Sequence, residues 1–226
     1  MTRTSLLHAF VLTVASASIA AAQTQISSPG GLSASDAIFT NPDAAGTTYS
    51  GNVTYTATGT DLTFSSVGNA IEVDQANVNY FSTAFADNTK ITYAGGYGGP
   101  SSPLTILFSK PVSEFGFGAE EFAFGSSTFT FDMFNGATMI GRFTSTGFTD
   151  DPSAGGVLAF LGARATSITS VVISDDNGDN IGVGPISYQL ATGGGTTVPE
   201  PTSIALAGAG LVGLGLLQRR RRARVA

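Results

Sequence analysis

Short stretches in which apolar and polar residues alternate constrain the fold of this chain more than any other feature. The clearest one runs through Phe129, Phe131 and Met133, which are separated by threonine and aspartate, and ends in Asn135-Gly136. Successive side chains of a strand point to opposite faces, so an alternation of period two indicates a half-buried strand. Asn-Gly favours a two-residue type I′ turn, and the segment therefore predicts the first strand of a β-hairpin.

The same alternation recurs between residues 26 and 190, in pieces bounded by Gly, Asn, Asp and Pro, and no long 3.6-residue period interrupts it. This pattern predicts an all-β protein with a single β-sandwich or jelly-roll-like domain. With 16 phenylalanines in the chain, we expect its core to be built largely of phenylalanine. The predicted strands are 53–57, 61–65, 69–74, 90–94, 104–109, 114–117, 128–134, 137–143, 157–161, 167–174 and 184–190.

The N-terminal residues 1–22 have the pattern of a secretory signal peptide. Arg3 supplies the positive start, an apolar run follows, and Ala20-Ala21-Ala22 fits an A-x-A cleavage site. We therefore predict export by the secretion machinery and cleavage by signal peptidase, which leaves a β domain at residues 23–190.

The C-terminal end consists of a linker and a proline-containing segment. Residues 191–197 are rich in Gly and Thr, which is typical of a flexible linker. Val198, Pro199, Glu200 and Pro201 follow, and the two prolines fix φ and hold the glutamate in an extended conformation. Such a segment can enter a recognition groove at a low cost in conformational entropy.

An apolar stretch and an arginine cluster complete this end. Residues 204–217 carry no charge, and as a helix they span about 21 Å, less than the ~30 Å of a hydrocarbon core. Flanking residues bring the helix to a marginal span. We predict a single transmembrane helix whose cytoplasmic end is anchored, by the positive-inside rule, by Arg219, Arg220, Arg221, Arg222 and Arg224.

Pro-Glu-Pro, a short apolar helix and a terminal arginine cluster together resemble the PEP-CTERM sorting domain of Gram-negative bacteria. The resemblance covers residues 197–226, and the predicted sorting signal is residues 198–226. It implies processing by an exosortase, a membrane-embedded cysteine transpeptidase of bacteria that make extracellular polysaccharide. It also implies a chain that is exported through the inner membrane, anchored there transiently, and then placed at the cell surface or outside the cell.

The composition excludes several classes of function. The chain has no Cys, and its one His is His8, inside the predicted signal peptide. The remaining domain therefore lacks a Ser-His-Asp triad, a Cys-His pair and the usual zinc ligands. Residues 23–197 hold four basic and fifteen acidic side chains, a formal charge of −11, which excludes nucleic acid as a partner. We predict that the protein is not an enzyme.

Four groups of residues remain as candidates for binding or catalysis. Oxygen ligands for Ca²⁺ could come from one acidic loop, although we favour a hairpin turn there because of its Asn-Gly dipeptide, and no other cofactor is expected. Six carboxylates could contain a glycosidase pair, but we favour a solvated surface for them. The loop residues are Asp175, Asp176, Asn177, Asp179 and Asn180, and the carboxylates are Glu114, Glu120, Glu121, Asp132, Asp150 and Asp151.

Tyr93 and Tyr97 are the candidate aromatic platforms for a sugar, although we favour a role in closing a sheet edge. The fourth group is Thr54, Thr56, Thr58 and Thr60, which alternate along one predicted strand. They could order water, but a single row is more often the wet face of a strand.

Together these features predict an exported, non-enzymatic surface or extracellular-matrix protein. The first alternative is an adhesin or carbohydrate-binding module for extracellular polysaccharide, with or without Ca²⁺. The second is a carboxylate-based glycoside hydrolase.

Overall fold

The computed structural model describes residues 23–76, 84–95, 103–121, 125–149, 156–177 and 180–192. Within these residues the regular structure is β, apart from a short 3-10 helix at Pro29–Gly31. The all-β prediction is confirmed. The strands in chain order are β1 Thr24–Ile26, β2 Ala37–Phe39, β3 Thr47–Tyr49, β4 Val53–Thr56, β5 Asp61–Ser66, β6 Ile71–Gln75, β7 Lys90–Ala94, β8 Leu104–Glu121, β9 Gly125–Asn135, β10 Thr138–Thr149, β11 Ala159–Asp175, β12 Ile181–Val183 and β13 Ile186–Leu190.

Two long strands, β8 and β11, organise the sheet. The first half of β8 lies between β5 and the second half of β11. The second half of β11 also pairs with β9, and β9 pairs with β10. The second half of β8 pairs with the first half of β11, with β13 and with β12. Both halves of β8 contribute to one hydrophobic core. The antiparallel sheet therefore folds over this core as the two layers of a sandwich do.

The sheet bends where β8 changes partners. The pairing of β5 with β8 ends at Phe108, and the pairing of β13 with β8 begins at Val112. Pro111 lies between them, where its missing N–H interrupts no ladder hydrogen bond. The predicted strands 104–109 and 114–117 are therefore one strand. The predicted strands 157–161 and 167–174 are similarly joined, in β11.

The core is built around phenylalanine rings. Phe115 and Phe117 stack with ring centroids 5.7 Å apart, and Phe131 meets Phe115 edge-on at 6.0 Å. These rings are at most 2% exposed. Burying such a side chain stabilises a fold by about 1.5–3 kcal/mol, so these contacts hold the two layers together.

A second, smaller apolar cluster covers the outer face of the second half of β8. Phe85, Ile91 and Tyr93 form it together with Ala76, and Leu158 packs against it. A Cβ at Gly118 would lie 2.9 Å from Leu158 and 3.1 Å from Phe85, so glycine lets this cover approach the strand. The second half of β8 is consequently buried on both faces.

The turn between β9 and β10 differs from the prediction. Asn135 pairs with Thr138 as the last residue of β9, so the two central residues of the turn are Gly136 and Ala137. Gly136 has a φ of +60°, and Ala137 is not among the described residues with positive φ. Positive φ at the first central residue alone is the pattern of a type II′ turn, and the predicted type I′ turn was wrong.

No helix among the described residues is long and apolar enough to cross a membrane. The predicted signal peptide and the predicted helix at residues 204–217 lie outside those residues.

Candidate functional site

Three of the carboxylates that we expected at the solvated surface are buried. Glu114, Glu120 and Glu121 are 1%, 2% and 1% exposed. The prediction failed because all three lie in the second half of β8, where both faces of the strand are covered. Asp132 remains partly exposed and pairs with Arg142 at 2.6 Å, and Asp150 and Asp151 lie outside the described residues.

Glu114 connects β8 to the segment after the 3-10 helix. It accepts hydrogen bonds from the backbone N–H and the hydroxyl of Ser33, at 2.7 and 2.9 Å, and from Nε of Arg164 at 2.6 Å. Burial raises its pKa, but the hydrogen bonds from Arg164 and Ser33 outweigh that effect and leave the pKa below its ordinary value. Glu114 is therefore held as a carboxylate.

Asp36 is a neighbour of this pair that the sequence analysis did not single out. Burial and the negative charge of Glu114 raise the pKa of Asp36, and Arg164 partly offsets them. Its two oxygens are shielded from solvent, and no donor among the described residues bonds to them. No local pattern in the sequence places Asp36 beside Glu114, which lies far along the chain.

Glu120 points to the outer face of β8, under the small apolar cluster. The hydroxyl of Tyr93 donates to its Oε1 at 2.5 Å. Burial and the charge of Glu120 raise the pKa of Tyr93 well above its ordinary value, so the phenol stays protonated. Tyr93 is only 3% exposed and is not the sugar platform we considered. Tyr97 lies outside the described residues.

Glu121 points to the opposite face and contacts the predicted calcium loop. Nδ2 of Asn177 lies 3.2 Å from both oxygens of Glu121 and 3.1 Å from the carbonyl of Ser126. Asp176 accepts the backbone N–H of Thr128 at 2.8 Å. These contacts tie the loop to the start of β9.

The calcium prediction itself is not decided by these contacts. Asp175, Asp176, Asn177 and Asn180 are described, whereas Asp179 lies outside the described residues. Among the residues whose placement is described, no three acidic or histidine side chains form a group that could hold a metal ion. A Ca²⁺ site at this loop therefore stays a prediction.

The buried carboxylates bond to separate neighbours within the fold and do not share a cleft. Each one is engaged by a different neighbour: Glu114 by Arg164 and Ser33, Glu120 by Tyr93, and Glu121 by Asn177. General acid and base catalysis on a sugar needs two carboxyl groups that face each other across the substrate. These three carboxylates are distributed over both faces of β8, which is an arrangement for bracing a strand.

A cleft of about 410 Å³ opens elsewhere, between the end of β2 and the end of β4. Its volume lies within the range of pockets that hold small molecules. Hydroxyl and apolar groups line it, and among the described residues no ionisable side chain does. The lining residues are Ile38, Phe39, Thr40, Pro42, Thr56, Ala57 and Thr58.

The threonine row reaches this cleft but is not a continuous array. Thr54 and Thr56 are exposed on β4, which ends at Thr56. Thr60 is 3% exposed, and its hydroxyl accepts the backbone N–H of Lys110 at 2.9 Å. Four threonines in one flat row were therefore a wrong expectation, because the chain turns before Thr60.

Comparisons with known proteins bear on the tail. No curated protein matches the chain. Among solved structures, a DUF4465 family protein from Bacteroides caccae superposes with a TM-score of 0.37 at 8% identity, covering 75% of this chain and 99% of that one. A known family, described as the PEP-CTERM protein-sorting motif, matches residues 197–222. The predicted sorting tail is confirmed: the chain carries a PEP-CTERM protein-sorting motif, which implies export, transient membrane anchoring and processing by an exosortase.

Proposed function

We propose that this protein is a non-enzymatic component of the cell surface or the extracellular matrix. It is secreted through its N-terminal signal and released from the membrane at its C-terminal tail. The match of residues 197–222 to the sorting motif carries this proposal. Export delivers the β domain to the outside, and the tail determines how the domain is retained there.

Each part of the tail has a separate physical role in this proposal. The segment Val198 to Pro201 is stiff and extended, and it presents Glu200 to the exosortase. Residues 204–217 hold the chain in the inner membrane until processing, and the arginines from Arg219 to Arg224 keep the end of the chain in the cytoplasm.

The β domain supports a structural role. Its buried carboxylates are bonded to neighbouring side chains, and the domain after the signal peptide has neither His nor Cys. The charge of −11 on residues 23–197 favours solubility and repulsion between copies over tight self-association.

Release of the β domain can be tested by membrane fractionation of a host with and without an exosortase. We expect the β domain to leave the inner-membrane fraction only when the exosortase is present. Glu200→Ala should keep the chain in that fraction, whereas Thr196→Ala, in the linker, should not. Release of the Glu200→Ala chain at the normal rate would contradict the role of the motif.

A second candidate function is the binding of extracellular polysaccharide, which the open cleft beside β4 favours. Calcium dependence belongs to this candidate. If Asp175, Asp176, Asn177, Asp179 and Asn180 bind Ca²⁺ in the native state, then Ca²⁺ raises the midpoint of thermal unfolding relative to chelator. An unchanged midpoint would rule out the calcium site.

A further inference from the structure

We propose that the cleft between β2 and β4 binds a sugar residue of a neutral polysaccharide. This inference deepens the second candidate function by naming its site and the class of its ligand. It stands on the rigidity of the cleft, the chemistry of its lining and the charge of the domain around it.

One wall of the cleft is fixed by hydrogen bonds behind it. Nδ2 of Asn41 donates to the hydroxyl of Thr92 at 3.0 Å, and Oδ1 of Asn41 accepts the backbone N–H of Asp43. The hydroxyls of Tyr49 and Tyr55 both donate to Oδ2 of Asp43, at 2.5 and 2.6 Å. The segment that carries Thr40 and Pro42 is therefore held from two sides.

The opposite wall is fixed in the same way. The hydroxyl of Tyr188, a fully buried residue, donates to the carbonyl of Thr58 at 2.8 Å. The backbone N–H of Ala57 donates to the carbonyl of Thr60 at 3.0 Å and closes the turn after β4. A cleft with two braced walls binds without a large cost for ordering its own groups.

The lining matches the two kinds of surface that a sugar ring presents. Thr40, Thr56 and Thr58 carry hydroxyls, each of which can donate and accept a hydrogen bond, as sugar hydroxyls do. Ile38 is 67% exposed and, with Pro42, offers an apolar surface to the C–H face of a ring. A small number of polar groups set into an apolar wall is typical of small-molecule sites.

The uncharged lining of the cleft and the negative charge of the domain favour a neutral ligand. The described part of the chain contributes no ionisable side chain to the cleft lining, which therefore offers no partner to a carboxylate or sulfate on a sugar. The charge of −11 on residues 23–197 repels an anionic polymer as a whole. An uncharged glycan meets neither obstacle.

The surface beyond the cleft suits a polymer better than a free sugar. Thr56 lines the cleft and belongs to β4, whose Thr54 hydroxyl lies 2.8 Å from the hydroxyl of Thr63 on β5. A glycan seated in the cleft can therefore continue over a row of neutral hydroxyls.

The test uses the full-length chain in detergent, run in native gels that contain dextran, the β-glucan laminarin, galactomannan or the anionic polymer alginate. We expect at least one neutral polysaccharide, but not alginate, to retard the protein. Ile38→Ser and Thr56→Ala should each weaken this retardation about five- to tenfold, as truncation of a contact residue does.

The matched controls are Met139→Ser and Thr146→Ala, which should retain normal retardation. Both positions are exposed on β10, at the edge of the sheet opposite β4. The inference is overturned if no neutral polymer retards the protein. It is also overturned if alginate retards the protein equally, or if both cleft variants are retarded as strongly as the unmodified protein. Each of these outcomes leaves tail processing intact, so failure of the cleft is distinguishable from failure of the sorting proposal.

Discussion

The two halves of β8 have similar sequences of apolar and polar residues but different environments. In the first half Leu104, Ile106 and Phe108 are buried while Leu107 is 42% exposed, so one face is wet. In the second half Phe115 and Glu114 are adjacent and both are buried. One strand thus passes from a surface layer to the interior of the domain within a few residues.

This difference shows what alternation means in a strand. Period two specifies that neighbouring residues point to opposite faces, but it does not specify that one of those faces is solvent. In the second half of β8, the face opposite the core is covered by the segment from Pro29 to Asp36 and by the cluster of Phe85 and Tyr93. Its polar residues therefore require partners.

The largest expected effect comes from removing a ring in the doubly buried half. Phe115→Ala should lower the free energy of unfolding by about 3–5 kcal/mol, because it leaves a cavity between Phe117 and Phe131. Leu107→Ala, in the half with a wet face, should change it by less than about 0.5 kcal/mol. Urea unfolding measures both, and equal losses would contradict the comparison.

The two arginine pairs give the next contrast. Arg164→Ala removes the charged partner of a buried carboxylate, Glu114, and should lower the free energy of unfolding by about 1–3 kcal/mol. Arg142→Ala breaks the more exposed pair with Asp132 and should cost less than Arg164→Ala, because solvent screens that pair. Chemical denaturation of both variants checks this order, which a larger loss for Arg142→Ala would reverse.

A smaller effect is expected at the tyrosines. Tyr93→Phe removes a donor from the buried Glu120 and should lower the free energy of unfolding by about 1–2 kcal/mol. Tyr49→Phe should cost less than Tyr93→Phe, because Asp43 keeps its hydrogen bond from Tyr55. Thermal unfolding of the two variants distinguishes them, and an equal shift would show that burial of Glu120 carries no additional cost.

The smallest effects concern pH and have opposite signs at two glutamates. Glu114 has a lowered pKa in the folded state, so its contribution to stability is present above its ordinary value of 4.5 and is lost as pH falls through the folded pKa. Burial and the charge of Asp74 raise the pKa of Glu72, so its ionisation above pH 4.5 destabilises the fold.

Relative to the unmodified protein, Glu114→Gln should therefore be less stable above pH 4.5, and this difference should shrink as the pH falls below 4.5. Glu72→Gln should be more stable above pH 4.5. Unfolding curves collected on both sides of pH 4.5 measure both slopes. Parallel slopes for the two variants would contradict the environments assigned to these carboxylates.

Much of the fold could be predicted from the sequence, and particular strands show why. Alternation located β4 and β5 within one residue, because each has one face against the core. It missed β1, β2, β3 and β12, which are three residues long and too short to show a period. It also divided β8 at Lys110-Pro111, because local signals do not report that a strand can change partners and continue.

The candidate sites depended more on contacts distant in sequence. Ser33 and Glu114 are 81 residues apart, and Tyr93 and Glu120 are 27 apart, so no local pattern could place them together. The cleft likewise joins residues 38–42 to 56–58 across a sheet edge. The tail was predictable because its three parts are contiguous and each acts through composition alone.

The central claim is that the chain is processed at its PEP-CTERM tail, and the mass of the mature protein tests it most directly. When the protein is produced in a host that has an exosortase, we expect a chain that begins at Gln23 and ends between Val198 and Thr202. A mature protein that still carries the arginines from Arg219 to Arg224 would contradict this account.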